Sequence, residues 1–243
     1  MNHVLGMLYP RRCPICGKIL EEKKHSVCKS CRPKVQLIKS PFCLKCGKPL
    51  ANPEKEYCGD CERYSHFFTE GRAAFPYTGS IKKSLLNMKL HNRRTYSNFF
   101  AGAMAAKFQR YEKEWNIDLI CPIPLYKKKR RYRGFNQAEL LAFPIGKMFQ
   151  IPVVPDLLVK VQETSDQKEL NRKSRQKNLK KAFKIGPYDV KLRRILLVDD
   201  VYTTGSTMDA AAAVLKEAGA AEIFFLTACI GTEKDAEENF SDC

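Results

Sequence analysis

The sequence of 243 residues has few acidic side chains for its many basic ones, and it has no long apolar run. Lys and Arg number 43 against 26 Asp and Glu, which gives a net charge of +17. No stretch approaches the about 20 apolar residues that a membrane-spanning helix needs. The first residues, MNHVLGMLYPRR, are too soon interrupted by Pro10 for a secretory signal. We therefore expect a soluble, cytoplasmic protein without a membrane span, and the charge favours polyanionic partners such as nucleic acids or phosphorylated metabolites.

Cysteine is concentrated in the first quarter of the chain. Eight of the eleven cysteines lie there, as four Cys-x-x-Cys pairs. Two such pairs at ribbon spacing bind Zn²⁺, because four thiolates complete its tetrahedral shell. Four pairs therefore predict two zinc ions, and the absence of a secretory signal disfavours disulfides. Four cysteine ligands leave no open position on the metal, so we expect both ions to be structural.

An internal repeat indicates which pairs share an ion. Residues 13–31, CPICGKILEEKKHSVCKSC, align without gaps on residues 43–61, CLKCGKPLANPEKEYCGDC. This repeat predicts two sequential ribbons, and an interleaved cross-brace is the alternative. The predicted ligands are Cys13, Cys16, Cys28 and Cys31 for the first ion, and Cys43, Cys46, Cys58 and Cys61 for the second. His25 and His66 are expected on the surface, and the metal is expected to fold these small ribbons.

The rest of the chain alternates between predicted strands and helices. Hydrophobic patterns predict strands at 72–77, 117–121, 154–161, 195–198 and 223–229, and helices at 81–90, 98–111, 136–149 and about 207–218. Pro144 should kink or split the third helix. Because the last strand, loop, helix and strand form a βαβ unit, we expect an α/β fold with a parallel sheet flanked by helices.

The segment ILLVDDVYTTGST, residues 195–207, places two carboxylates beside a loop suited to phosphate. Parallel sheets bind ligands beyond the carboxyl ends of their strands, where Asp199 and Asp200 are predicted to lie. The next helix offers free N–H groups at its N-terminus, and residues 203–207 add hydroxyl donors. Two acids beside a phosphate make sense if the ligand also carries hydroxyl groups or a divalent ion is nearby. A ribose 5-phosphate has adjacent hydroxyls at this distance.

This segment resembles the phosphoribosyl pyrophosphate (PRPP) loop of type I phosphoribosyltransferases. By that resemblance, Asp199 and Asp200 contact the ribose 2- and 3-hydroxyls. The residues implied to hold the 5-phosphate are Thr203, Thr204, Gly205, Ser206 and Thr207. Mg²⁺ is expected with PRPP, bridging pyrophosphate and ribose hydroxyls. The implied reaction is displacement at ribose C1, which depends on positioning and charge stabilisation and needs no covalent protein nucleophile.

A second segment, CPIPLYKKKRRYRGFNQAELLA at 121–142, narrows the resemblance. Its run of cations at 127–133 is expected to be a solvated basic loop, part of which would face pyrophosphate. P-I-P followed by R-G-F-N-Q-A, behind a cysteine-rich module, is similar to the ComF family of late-competence proteins. Residues 164–183 also resemble the pattern of that family. The resemblance implies that Pro122, Ile123 and Pro124 form the pyrophosphate loop, and that Arg133, Asn136 and Gln137 line or brace the site.

The family arrangement implies a domain division and a biological setting. The expected units are a double zinc-ribbon module at 1–66, a type I phosphoribosyltransferase-like domain at 67–232 and an acidic tail at 233–243. The implied setting is natural transformation, in which the protein binds PRPP and handles single-stranded DNA, with a competence helicase or recombination mediator as a further partner. The alternative is an active phosphoribosyltransferase, although no segment specifies its nitrogen acceptor. The basic segment 172–194 fits a solvated loop, a lid over PRPP or a surface for single-stranded DNA.

Overall fold

The structure is a computed structural model that describes residues 10–20, 25–161 and 182–232. Residues 164–181 of the family pattern, which include 172–181 of the basic segment, lie outside the described residues, as does the acidic tail. Across the described ranges, no helix combines the length and the apolar character needed to cross a membrane.

A parallel sheet of four strands forms the centre of the protein. Its strands are β1 (Glu70–Pro76), β2 (Leu119–Pro122), β5 (Arg194–Tyr202) and β6 (Glu222–Ile230), in the spatial order β1–β6–β5–β2. The strands predicted in these four regions are confirmed. Strand β5 continues beyond the predicted end at Val198, because Val201 and Tyr202 still pair with β6. Asp199 and Asp200 therefore lie within β5, near its carboxyl end, and not after the strand.

A smaller antiparallel pair contains the remaining predicted strand. The strand expected at 154–161 is limited to β3 (Leu158–Lys160), which pairs with β4 (Phe183–Ile185). Val153, just before the predicted stretch, bridges to Ile120 of the main sheet, and the Val154 N–H donates to the Ile120 carbonyl at 2.9 Å. This region therefore forms a separate two-stranded unit next to the edge strand β2.

Helices cover both faces of the sheet. They are α1 (Gly59–Arg63), α2 (Gly79–Leu90), α3 (Ser97–Phe108), α4 (Glu112–Trp115), α5 (Lys127–Arg133), α6 (Gln137–Phe149) and α7 (Ser206–Glu217), with short 3₁₀ turns at Lys29–Lys34 and Arg94–Tyr96. Helices α2, α3 and α6 contribute to the core on one face, and α7 to the core on the other. Strand residues alternate between these two cores, as a sheet buried on both sides requires.

Two helical predictions need correction. Residues 127–133, expected as a loop, form the helix α5, because Lys and Arg are good helix formers even when no apolar periodicity marks the helix. Helix α6 continues through Pro144, so the predicted split of the helix is wrong. Pro144 is exposed and Leu140, whose carbonyl loses its usual N–H partner, is only partly buried, so solvent can replace the missing hydrogen bond.

The two cysteine ribbons join different cores. Cys13, Val27 and Cys31 belong to the core that contains α3, whereas Cys43, Cys46 and Cys58 belong to the core that contains α7. The first ribbon is thus packed on one face of the sheet and the second on the other. Only the second shares its core with Tyr202 and Met208, which flank the predicted phosphate loop.

Candidate functional site

The predicted thiols converge in two clusters. One contains Cys13, Cys16, Cys28 and Cys31, and the other contains Cys43, Cys46, Cys58 and Cys61. In each cluster the four sulfur atoms lie within 4.8 Å of one another. Four thiolates at this separation are the donor set that Zn²⁺ prefers, so both clusters fit structural zinc sites. The sequential pairing is confirmed, and the interleaved alternative is wrong.

The paired carboxylates lie near the carboxyl end of β5. Asp199 is 9% exposed and Asp200 is 4% exposed. Burial raises the pKa of Asp199 to about 6, although Lys89, Lys160 and Arg133 oppose this shift. A carboxyl group with this pKa exchanges its proton near neutrality, and a cation or a hydroxyl donor would favour its ionised form.

Lys89 is a site residue that the sequence did not reveal. It lies at the end of α2 and forms an ion pair with Asp200. Burial lowers the pKa of Lys89, while the neighbouring Asp199 opposes the shift. Nothing in the pattern of α2 distinguishes this lysine from the other lysines of the helix, and only the fold brings it beside the two acids.

The R-G-F-N-Q segment, residues 133–137, also contributes side chains that act on Asp199. Arg133 Nη1 donates to Gln137 Oε1 at 2.5 Å, and the Gln137 side chain hydrogen-bonds to Asp199. Burial lowers the pKa of Arg133, and the negative charge of Asp199 opposes that shift. Arg133 and Gln137 therefore act on Asp199, the first of the two acids.

Asn136 has a bracing position. Its side chain accepts from the Ala138 N–H at 3.0 Å, which caps α6, and its Nδ2 donates to the Ile123 carbonyl at 3.0 Å. Pro122 pairs with Val198, and the Ile123 N–H donates to the Val198 carbonyl at 2.8 Å. These bonds fix Pro122 and Ile123, both buried, and the half-buried Pro124 beside β5.

The predicted phosphate loop lies open at the start of α7. Thr203 and Thr204 are exposed, Ser206 and Thr207 are half-buried, and Gly205 is buried. The Thr204 and Ser206 hydroxyl oxygens are 2.8 Å apart. Helix α7 begins at Ser206, so its free N–H groups face the same loop as these hydroxyls. This arrangement suits an anion, and it lies a few residues from the acidic pair.

His66 does not lie on the surface as predicted. Its side chain is 2% exposed, because Nδ1 donates to the Asp209 carboxylate at 2.7 Å and the ring stacks on Phe68. The second cluster contains four cysteines and does not include this histidine. This agrees with the interpretation that four thiols suffice to bind the metal. The contact with Asp209 spans 143 positions of the chain, so no local pattern marks it.

Comparisons with known proteins agree with this architecture. Residues 4–62 match the family model of a double zinc ribbon domain, and residues 141–242 match that of a phosphoribosyl transferase domain. Competence protein F of Haemophilus influenzae is 28% identical over 217 residues, which cover 87% of this chain and 93% of that protein. Competence protein ComFC of Bacillus subtilis is 30% identical over 202 residues, which cover 80% of each chain. DNA utilization protein YhgH of Salmonella typhimurium is 27% identical over 217 residues, 88% of this chain and 94% of that protein.

The fold and the two matches define the class of the protein. It is a double zinc ribbon joined to a domain of the phosphoribosyltransferase fold. Within that class, the similarity to ComFC over four fifths of both chains shows that this chain belongs to the ComF family. The family resemblance seen in R-G-F-N-Q-A and in the cysteine repeat is thereby confirmed.

Proposed function

We propose that this protein binds PRPP together with Mg²⁺ and acts on single-stranded DNA during natural transformation. The observation that carries the PRPP assignment is the buried pair Asp199 and Asp200 beside the open loop 203–207. The names of the relatives, competence proteins and DNA utilization proteins, support the biological setting.

The residues suit each part of the ligand. The two carboxylates would accept hydrogen bonds from the ribose 2- and 3-hydroxyls, and the loop with the N-terminus of α7 would hold the 5-phosphate. Lys89 and Arg133 offset the acidic charge, so that an anion can approach. Mg²⁺ would neutralise the pyrophosphate, whose expected contacts are the Pro122–Pro124 segment and the adjacent residues of α5.

Helix α5 offers a surface for the nucleic acid. It carries six cations in seven residues, and Tyr132 within it is 94% exposed. Cations attract the phosphate backbone, and an exposed ring can stack on an unpaired base. Binding of single-stranded DNA should therefore weaken steeply with salt, and Tyr132→Ala should weaken it further. A salt-independent affinity would contradict this part of the proposal.

Calorimetric titration of PRPP with Mg²⁺ into the zinc-loaded protein tests the ligand. We expect binding to the wild type, and at least about tenfold weaker binding to Asp199→Asn/Asp200→Asn, because each lost charged hydrogen bond is worth about 1.5–3 kcal/mol. An unchanged circular dichroism spectrum would show that the variant is folded. Absence of binding to the wild type would contradict the assignment.

The alternative is an active phosphoribosyltransferase with an unidentified nitrogen acceptor. The observation that favours it is the same pair of buried carboxylates, which would contact the ribose of a reacting donor. Release of pyrophosphate from PRPP in the presence of a nitrogen base would distinguish the enzyme from a protein that only binds PRPP.

A further inference from the structure

A chain of contacts connects the second cysteine cluster to the helix that follows the phosphate loop. Cys61 Sγ lies 3.5 Å from His66 Nε2, and His66 Nδ1 lies 2.7 Å from Asp209 Oδ2. The Phe67 N–H donates to the other oxygen of Asp209 at 3.1 Å. The carboxylate is thus held at both oxygens by the segment that leaves the second ribbon.

Asp209 is placed to transmit this connection to the loop. It lies in the first turn of α7, and its N–H donates to the Gly205 carbonyl at 2.8 Å. An acid in a first turn is favourable through the helix dipole alone. That explanation does not require a histidine side chain that is 2% exposed and faces a cluster thiol.

Aromatic packing provides a second connection between the same two regions. The His66 ring stacks on Phe68 at 4.6 Å, and Phe68 meets the Tyr202 ring edge-on at 6.2 Å. The Tyr202 hydroxyl lies so close to Gly205 that a methyl group at that position would overlap it. Movement of His66 would therefore reach the loop through both its hydrogen bond and its ring.

The first ribbon has no corresponding contact at the equivalent position. The gapless alignment of 13–31 on 43–61 places Gln36 at the position of His66. Gln36 is exposed. Gln36 is therefore a matched control, because it follows the same ribbon spacing and its ribbon packs in the core that does not contain Tyr202 and Met208.

We propose that His66 is a positioning residue that couples the second zinc site to the conformation of loop 203–207. Zinc at Cys43, Cys46, Cys58 and Cys61 fixes Cys61, Cys61 and Asp209 fix His66, and Asp209 fixes the first turn of α7. Coupling between two sites is reciprocal, so a ligand in the loop must also stabilise the second ribbon. The part of this inference that concerns PRPP rests on the proposed function, and the part that concerns the loop does not.

Hydrogen exchange measured by mass spectrometry on the full-length, zinc-loaded protein tests the coupling. His66→Phe keeps a ring against Phe68 and removes both polar contacts, and Asp209→Asn weakens the connection from its other end. Without ligand, we expect exchange at 203–209 to be about tenfold faster in both variants, and unchanged in Gln36→Ala. Unchanged exchange at 203–209 in both variants, or the same acceleration in Gln36→Ala, would overturn the proposal.

Two further readouts separate positioning from simple loss of structure. Metal analysis should find two zinc ions per chain in His66→Phe; loss of zinc from Asp209→Asn would also support coupling, because Asp209 touches no thiol.

PRPP with Mg²⁺ should slow exchange at 58–67 in the wild type and not in His66→Phe. If PRPP binds the wild type without any effect at 58–67, the reciprocal coupling is wrong. If PRPP does not bind at all, the proposed function fails while exchange in the free protein still decides the role of His66.

Discussion

The two zinc ribbons share one spacing of cysteines and differ in how deeply these cysteines are buried and in what packs against them. In the first cluster Cys16 is exposed and Cys28 is half-buried, whereas in the second only Cys61 retains partial exposure. The second ribbon is also bonded to the main sheet, since the Gly71 N–H of β1 donates to the Lys45 carbonyl at 2.8 Å. Arg72 of the same strand donates to the Leu44 carbonyl at 3.0 Å. A repeat in sequence thus sets the metal chemistry, and the packing partner sets how strongly each copy is integrated with the rest of the fold.

The largest difference is expected when one ligand is removed from each cluster. Cys46→Ser should lower the melting temperature by roughly 10 °C more than Cys16→Ser, because Cys46 lies in the core that includes Tyr202 and Met208. Cys46→Ser should also weaken PRPP binding, and Cys16→Ser should not. Thermal unfolding followed by circular dichroism, with metal analysis of both variants, makes the comparison. Equal losses would mean that the two ribbons are equally integrated.

The glycines that follow the first Cys-x-x-Cys pair of each ribbon give a sharper comparison with a smaller effect. Gly17 and Gly47 have φ of 76° and 77°, so Ala costs about 1–2 kcal/mol at either position from backbone strain alone. A Cβ at Gly17 would meet nothing within 4 Å, whereas at Gly47 it would lie 2.8 Å from the Gly71 carbonyl oxygen and 3.0 Å from Arg72 Cα. Because backbone of β1 cannot move aside easily, Gly47→Ala should cost about 1–3 kcal/mol more than Gly17→Ala.

Urea unfolding of the two glycine variants measures this difference. The shared φ cancels between them, so the difference reports the contact with β1. A smaller loss for Gly47→Ala than for Gly17→Ala would show that Gly47 is not in close contact with β1 in solution.

Local patterns predicted much of this fold and of the candidate site. The βαβ unit around 195–229 and both cysteine clusters were predicted because each is defined by residues close in sequence or by a repeat. The acids Asp199 and Asp200 and the loop 203–207 share one short segment, so the sequence could place them together. Whether they bind PRPP stays a prediction.

Contacts between distant segments could not be predicted in the same way. Lys89 meets Asp200 only because the fold brings the end of α2 beside β5, and His66 meets Asp209 across 143 positions. Helix α5 was missed for another reason, since a run of cations hides the apolar periodicity that marks most helices. For Lys89 and His66 the missing information is tertiary, whereas for α5 it is the local helix propensity of Lys and Arg.

The last comparison is between Lys48 and Lys18, the lysines that follow these two glycines. Lys48 is 3% exposed and forms an ion pair of 2.9 Å with Asp60, whereas the equivalent Lys18 is exposed and the repeat has Ser30 in place of Asp60. Burial lowers the pKa of Lys48, but the Asp60 carboxylate and the nearby Cys58 and Cys46 raise it, and the net shift of the pKa is upward. Lys48→Met keeps the apolar stem and removes the ion pair to Asp60, which should cost about 1–3 kcal/mol in urea unfolding. Lys18→Met should change the free energy of unfolding by no more than about 0.5 kcal/mol, as is usual for exposed positions. Asp60→Asn in the Lys48→Met background should recover part of the loss, because the carboxylate that Lys48 had paired is then replaced by a neutral amide; if it recovers nothing, the ion pair contributes little and the two ribbons differ by apolar packing alone.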